Sequence, residues 1–141
     1  MVARLLAAGV VLAFCVLVHA VGVTIALRWL ARLPVKPTRF WIEIRKLVLL
    51  AAWIILLHLT EIFAWAFFYD WRGAMPGMQR AVYFSAVTYT TTGYGDLVLP
   101  EAWRLVGAIE ALTGILMCGW STGFFFAAVS RRFSADATPT R

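Results

Sequence analysis

Residues 89–96 read YTTTGYGD, and this stretch decides how the rest of the chain is interpreted. At average residue usage, the seven residues from Thr90 to Asp96 would arise by chance in a chain of this length with a frequency on the order of one in ten million. The stretch follows a short apolar run, residues 81–87, and precedes Pro100. Because that run is too short to cross a bilayer, we expect it to form a re-entrant or interfacial element.

Three long apolar segments surround this stretch, at residues 5–27, 47–68 and 105–129. Each meets the requirement of about 20 apolar residues for crossing roughly 30 Å of hydrocarbon. The chain is 62% hydrophobic and 14% charged, with a mean hydropathy of +0.82, which is too apolar for a small water-soluble domain. The sequence therefore predicts an all-α membrane protein with three transmembrane helices and a re-entrant helix followed by a loop.

The net charge of +6 comes from basic residues that flank the apolar segments, which argues against a nucleic-acid-binding surface. The largest group lies between the first two segments and consists of Arg28, Arg32, Lys36, Arg39, Arg45 and Lys46. The positive-inside rule assigns this connection, and the end at Arg131 and Arg132, to the cytoplasm and the amino terminus to the outside. We expect a bacterial inner membrane protein embedded in the lipid bilayer, with anionic lipid bound at residues 28–46.

The first apolar segment has an alternative interpretation as a cleaved signal peptide, because Arg4 precedes it and residues 18–20 resemble a cleavage site. The apolar run continues past Ala20 to Leu27, however, and is longer than a signal sequence needs. Cleavage would also leave the new terminus outside and invert the remaining helices against their flanking charges. We therefore expect this helix to be retained.

The stretch from Tyr89 to Asp96 closely resembles the signature of the bacterial-type potassium channel pore family, whose subunits have two transmembrane helices and a pore loop with a Gly-Tyr-Gly filter. The resemblance covers residues 47–132. It implies an outer helix at 47–69, a turret and pore helix at 70–90, a selectivity filter at 91–96 and an inner helix at 102–130. The other parts would be an extra N-terminal transmembrane helix at 1–33, a basic cytoplasmic loop at 34–46 and a short cytoplasmic tail at 133–141.

The resemblance implies that K⁺ sheds its water and binds the backbone carbonyls of Thr91, Thr92, Gly93 and Tyr94, with the Thr91 hydroxyl at the inner end. The backbone must alternate in conformation to aim these carbonyls at one axis, and Gly93 and Gly95 allow positive φ. One chain supplies one strand of the filter, so the family implies a homotetramer around the pore. K⁺ is the permeant ion, and no organic cofactor is expected.

Asp96 would lie at the outer mouth, and the resemblance implies that its carboxylate accepts a hydrogen bond from Tyr83 behind the filter. The Tyr94 ring is expected to pack there against the pore helix, near Tyr83 and Phe84. A plain core position is an equal alternative for Phe84.

Pro76 is placed to open the pore helix, which would span residues 77–90, because a missing N–H costs nothing in a first helical turn. The carboxyl end of this helix would face the cavity, where its partial negative charge favours a cation. In the tetramer we expect an inner ring from the third helix, a middle ring from the second and an outer ring from the first.

The inner helix contains Gly114, which matches the position of the family's hinge glycine, and bending and close packing are equal alternatives for it. Four residues at helical spacing would line the water-filled cavity, namely Ile115, Cys118, Thr122 and Phe126. A ring of four Phe126 side chains would close the cytoplasmic mouth by dewetting, whereas a lipid-facing phenylalanine is the simpler alternative.

Two carboxylates fall inside the predicted spans, Glu61 in the second helix and Glu110 in the third. Charges at this depth usually have partners or functions, and structural pairing is favoured here over proton sensing. His58 lies one helical turn before Glu61, so a contact between them would give a pH response. His19 and His58 otherwise stand alone in their spans, and no metal site other than the K⁺ sites is expected.

No pair of nucleophile and base is evident, so enzyme activity is not expected. Cys15 and Cys118 fall inside spans and indicate buried thiols instead of a disulfide or a metal site.

The sequence favours a potassium-selective channel that conducts passively. A weakly selective cation channel and a non-conducting regulatory or scaffold subunit with a pore fold are the alternatives.

Overall fold

The computed structural model describes residues 1–33 and 40–134, with side chains up to Ser130. Within these ranges the chain is helical and contains no strand, which confirms the all-α architecture. The elements are α1 (Val2–Ala31), α2 (Phe40–Trp71), α3 (Met78–Tyr89), a 3-10 turn (Glu101–Trp103) and α4 (Arg104–Ser134). The expectations for Lys36, Arg39, the tail from residue 135 and the side chains of Arg131 and Arg132 lie outside the described residues.

Three of these helices are long and apolar enough to cross a membrane, over Val2–Ala31, Phe40–Trp71 and Glu101–Ser130. A helix of 30 residues is about 45 Å long, which exceeds the thickness of a hydrocarbon core. Large apolar side chains remain exposed along all three, among them Val10, Phe63 and Leu112. Lipid accommodates this apolar surface, and the protein is an integral membrane protein.

α2 begins at Phe40, although the outer helix was expected to begin at residue 47. The second half of the expected 34–46 loop is therefore helical. An ion pair within the helix accounts for the difference, because Lys46 Nζ donates to Glu43 Oε1 at 2.9 Å. Such a pair three residues apart stabilises a helix, so charged residues extend α2 beyond its apolar part. At the other end of the chain, α4 continues to Ser134, past the expected end at residue 130.

α3 begins at Met78, with Gly77 as its N-cap at a φ of 98°. Pro76 therefore precedes the cap. The sequence had instead placed it in the first turn of the helix. The start is fixed by Asp70 at the end of α2, whose Oδ1 accepts a hydrogen bond from the Gly77 N–H at 2.8 Å. This bond turns the chain so that α3 folds back beside α2.

An aromatic cluster holds α3 between α2 and α4. The Tyr69 ring packs edge-on against Phe84, with centroids 5.4 Å apart, and Phe68 packs edge-on against Trp103 at 6.0 Å. Trp65 and Tyr69 are fully buried. Close packing of these rings fixes the position of the short helix, and each aromatic pair contributes about 0.5–1.5 kcal/mol.

α1 packs against both α2 and α4. Trp53 Nε1 of α2 donates to Gly22 O at 3.0 Å. At the other end, Arg4 Nη1 donates to Ala102 O at 3.2 Å, and its guanidinium lies 5.0 Å from the centre of the Trp103 ring. α1 also contacts α4 itself, since His19 Nε2 lies 3.0 Å from Ser121 Oγ. The order of helix rings expected for a tetramer stays a prediction.

Candidate functional site

The backbone after α3 adopts a left-handed conformation at every second residue. Thr91, Gly93 and Gly95 have φ angles of 59°, 57° and 78°. A left-handed residue reverses the direction in which the next peptide group would otherwise point. Such an alternation suits a segment whose successive carbonyls are to point toward the same side.

Thr91 is the member of this series that the sequence interpretation missed. A β-branched residue rarely adopts positive φ, and strain of this kind concentrates at functional sites. The conformation is held by hydrogen bonds from the Thr91 N–H to Thr88 O at 2.9 Å and from the Thr92 N–H to Val87 O at 3.0 Å. Extending the two-residue spacing of Gly93 and Gly95 backwards would have identified it.

Gly93 and Gly95 are required for their backbone conformation and not for lack of space. A Cβ atom added at either position would meet no atom of the subunit within 4 Å. Their positive φ is the property that another residue could not reproduce without strain.

Residues 90–96 are exposed in the single subunit. Thr90 Oγ1 donates to Ala86 O at 2.7 Å and lies 2.9 Å from Thr92 Oγ1, so these hydroxyls stay close to the end of α3. The Tyr94 ring is 72% exposed. The packing expected for this ring behind the segment is therefore not made within the subunit.

Asp96 connects the end of the segment to α3. The Tyr83 hydroxyl donates to Asp96 Oδ2 at 2.7 Å, which is the pairing that the resemblance implied. Because the carboxylate accepts the phenolic hydrogen, the pKa of Tyr83 is raised above its ordinary value. The bond closes a loop that holds both ends of the segment on the same helix.

A cavity of about 340 Å³ lies beside the segment. Gly93, Gly95 and Asp96 contribute to its lining, together with Phe84 of α3. The Phe84 ring is otherwise buried against Tyr69, which fits the plain core position.

Glu110 is fully buried where α4 meets α3. Ser85 Oγ contacts both Glu110 Oε1 and Ile62 O, the latter at 2.9 Å. Ser85 Oγ is the donor to both oxygens, so its single hydrogen is shared between the carboxyl group and a backbone carbonyl. These contacts agree with structural pairing, the alternative that the sequence favoured.

Glu61 is fully buried at the centre of a polar network that contains residues of all four helices. His19 Nδ1 lies 2.9 Å from Glu61 Oε1, and the Tyr89 hydroxyl donates to Glu61 Oε2. His19 Nε2 lies 3.0 Å from Ser121 Oγ, and His58 Nδ1 lies 3.0 Å from the Tyr89 hydroxyl. Tyr89 is the last residue of α3, so the network adjoins the start of the exposed segment.

The two histidines are neighbours, which corrects the expectation that each stands alone. Their ring centroids are 5.4 Å apart. His58 Nδ1 lies 3.8 Å from Glu61 Oε2, so the expected contact within α2 is longer than the contact from His19 on α1. Spacing along a single helix carries no signal for His19, Tyr89 or Ser121, because their contacts join different helices.

α4 passes directly against the end of α3 at Gly114. A Cβ atom at this position would overlap the backbone carbonyl of Tyr89. This close approach favours packing over bending as the role of Gly114.

The four residues expected to line a cavity are exposed on α4, namely Ile115, Cys118, Thr122 and Phe126. Cys118 is therefore not a buried thiol, whereas Cys15 is buried as expected. A groove of about 590 Å³ between α2 and α4 includes Cys118, Thr122 and Phe126 in its lining. Part of this face of α4 therefore borders the groove beside α2.

Comparison with known proteins identifies the family. A family model described as "Ion channel" matches residues 55–131, which is more than half of the chain and includes α3, the exposed segment and most of α4. Neither the curated proteins nor the solved structures contain a match. On the extent of the family match, the chain belongs to this ion channel family.

Proposed function

We propose that this ion channel conducts K⁺ selectively through a filter formed by residues 91–95 of four identical subunits. The observation that carries the proposal is the left-handed backbone at Thr91, Gly93 and Gly95. Three left-handed residues at alternate positions are unusual in a loop, and they suit a row of carbonyl ligands from Thr91 to Tyr94.

The chemistry of K⁺ explains why a carbonyl row suits this ion. K⁺ enters a filter when protein oxygens replace its hydration shell at a similar energy. Backbone carbonyls carry partial charge and release the ion again, whereas rings of carboxylates would hold it too tightly. The carbonyls of Thr91, Thr92, Gly93 and Tyr94 would form successive K⁺ sites, and Asp96 would concentrate cations at the outer mouth.

A homotetramer is part of the proposal, because one strand cannot surround an ion. The exposure of residues 90–96 supports it, since surfaces that meet in an assembly are exposed in one subunit. The Tyr94 ring is 72% exposed against the described residues of its own chain, and the cavity of about 340 Å³ beside the filter would receive an aromatic ring from the adjacent copy.

The remaining features fit a cation pathway. α3 ends at Tyr89, just before the filter, so the partial negative charge of its carboxyl end would favour K⁺ in the cavity below. Ile115 and Thr122 would line that cavity, and Phe126 would narrow its cytoplasmic mouth. In this orientation the amino terminus is outside, the carboxyl end is cytoplasmic, and residues 28–46 contact anionic lipid of a bacterial inner membrane.

The test is the reversal potential of the purified protein in planar bilayers under opposed K⁺ and Na⁺ gradients. We expect a value near the K⁺ equilibrium potential, lost in Gly93→Ala because alanine is strained at a φ of 57°. Gly73→Ala is the matched control, since Gly73 has a φ of 66° and equally open surroundings but lies in the turn after α2.

Each other outcome assigns a different function. A reversal potential near zero would indicate a weakly selective cation channel. Tetramers without ion flux would indicate a non-conducting regulatory or scaffold subunit. Equal losses in Gly93→Ala and Gly73→Ala would trace the effect to folding and remove the support for a filter.

A further inference from the structure

The chain has two histidines, and they lie together although they belong to different helices. His19 is on α1, His58 is on α2, and Glu61 follows His58 by one turn. One ligand atom from each of the three residues can be chosen so that all lie within 4.8 Å of one another. Two imidazoles and a carboxylate therefore converge on one place between membrane-spanning helices.

We propose that His19, His58 and Glu61 bind a divalent transition-metal ion, represented by Zn²⁺, which fastens α1 to α2 beside the end of α3. Imidazole nitrogen and carboxylate oxygen are common ligands of Zn²⁺. At the usual bond lengths, ligand atoms in a tetrahedral site are roughly 3.3 Å apart. The distance from His19 Nδ1 to Glu61 Oε1 is 2.9 Å, and that from His58 Nδ1 to Glu61 Oε2 is 3.8 Å, so the donors bracket this spacing.

The surroundings orient the ligands as metal sites require. Histidines that bind a metal through one ring nitrogen usually form a hydrogen bond through the other. His19 Nε2 lies 3.0 Å from Ser121 Oγ, which leaves Nδ1 directed at Glu61. The Tyr89 hydroxyl contacts Glu61 Oε2 and His58 Nδ1, so it lies beside two of the ligand atoms and would move away from His58 Nδ1 when the ion binds.

The charge balance also favours a bound cation. Glu61 is fully buried, and among the described residues its ion pairs are to the two histidines. A carboxylate at membrane depth requires compensation, and a divalent ion provides it while leaving both imidazoles neutral as ligands.

An ion can reach the site through the groove between α2 and α4. His58, Cys118 and Ser121 contribute to the lining of this groove, whose volume is about 590 Å³. The His58 side chain is 17% exposed, whereas those of His19 and Glu61 are completely enclosed. His58 would therefore be the first ligand to meet an arriving ion.

The test is Zn²⁺ binding by the full chain, with any affinity tag removed, in lipid nanodiscs. Dialysis against Zn²⁺ followed by elemental analysis is expected to give one Zn²⁺ per chain. His19→Gln, His58→Gln and Glu61→Gln should each abolish this stoichiometric binding. Ser121→Ala should weaken it by about 10- to 100-fold, as expected for loss of a hydrogen bond to a ligand.

Two control variants separate this site from other metal-binding groups. Glu110→Gln removes the other fully buried carboxylate, and Cys118→Ser removes the thiol in the groove. Both are expected to retain one Zn²⁺ per chain. Loss of binding in Cys118→Ser together with retention in His19→Gln would place the ion on the thiol and overturn the proposal.

A second measurement uses the unsubstituted protein, so it does not depend on the folding of variants. With two histidines in the chain, ¹⁵N spectra of the imidazole rings should show Zn²⁺ shifting the signals of both. The proposal is wrong if the protein takes up no more Zn²⁺ than empty nanodiscs, or if the ring signals respond to pH and not to Zn²⁺. Neither measurement depends on K⁺ conduction, so a failure of the proposed function would leave this result unchanged.

Discussion

Gly114 of α4 lies directly against the backbone carbonyl of Tyr89, the last residue of α3. The exposed segment begins directly after Tyr89, so its start is held close to the backbone of a membrane-spanning helix. The absence of a side chain at residue 114 thus allows the end of α3 to approach α4 this closely.

Substitution Gly114→Ala should displace the end of α3, because its methyl group overlaps the Tyr89 carbonyl. We expect the free energy of unfolding to fall by about 1–3 kcal/mol, with a loss of K⁺ current. Denaturant titration of the protein in detergent measures the first effect. Gly119→Ala, on the same helix with no atom within 4 Å of the added carbon, is the control and should be close to neutral. Equal stability of the two variants would instead support a hinge at Gly114.

The hydrogen bond from Tyr83 to Asp96 should make the filter sensitive to alkaline pH. The pKa of Tyr83 is raised because its protonated form donates to the carboxylate, so the contribution to stability is complete below the ordinary tyrosine value of about 10. It is lost as pH rises through the raised value. Thermal unfolding across this range should show a decline that is smaller in Tyr83→Phe. The same slope in both proteins would show that the decline does not come from this hydrogen bond.

The contact between Ser85 and Glu110 predicts a difference between two substitutions of the carboxyl group. Glu110→Gln keeps the size of the side chain and can donate to Ser85, so its cost should be about 1 kcal/mol. Glu110→Ala leaves a cavity and an unpaired hydroxyl, and about 3 kcal/mol or more should be lost. Denaturant titration of both variants is the measurement. Equal costs would show that the hydrogen bond contributes nothing beyond packing.

The guanidinium of Arg4 over the Trp103 ring should attach the amino-terminal end of α1 to the 3-10 turn that precedes α4. A cation–π contact of this kind contributes about 0.5–1 kcal/mol at an exposed site. A double-mutant cycle with Arg4→Ala and Trp103→Leu should yield a coupling energy of this size. Additive effects within about 0.3 kcal/mol would mean that the two side chains act independently.

The sequence predicted the structure best at positions where the backbone conformation restricts which residue can be used. Glycine is the residue for which positive φ costs least, so Gly93 and Gly95 were correctly expected to allow it. The number and approximate location of the three membrane-spanning helices followed from their apolar composition, because a helix that crosses lipid must be both long and apolar. The pairing of Tyr83 with Asp96 came from resemblance to a family and not from spacing.

The sequence predicted least about contacts between residues that are far apart in the chain. Nothing within α1 distinguishes His19 from a histidine packed at an apolar interface, and its partners are 42 and 102 residues away in the chain. The start of α2 was misjudged because charges were assigned to a loop, whereas Glu43 and Lys46 pair within the helix. The expected packing of the Tyr94 ring stays a prediction, because the ring is exposed in the single subunit.

The Glu61 network has a consequence for attempts to engineer a smaller channel. Removing α1 would delete His19. The Glu61 carboxylate and the Ser121 hydroxyl would then face hydrocarbon where they now face the imidazole. A two-helix version of this subunit would therefore require compensating apolar residues at both positions. α1 therefore contributes to the interior of the pore subunit. A protein made of residues 47–132 alone would lack the helix that covers Glu61 and Ser121.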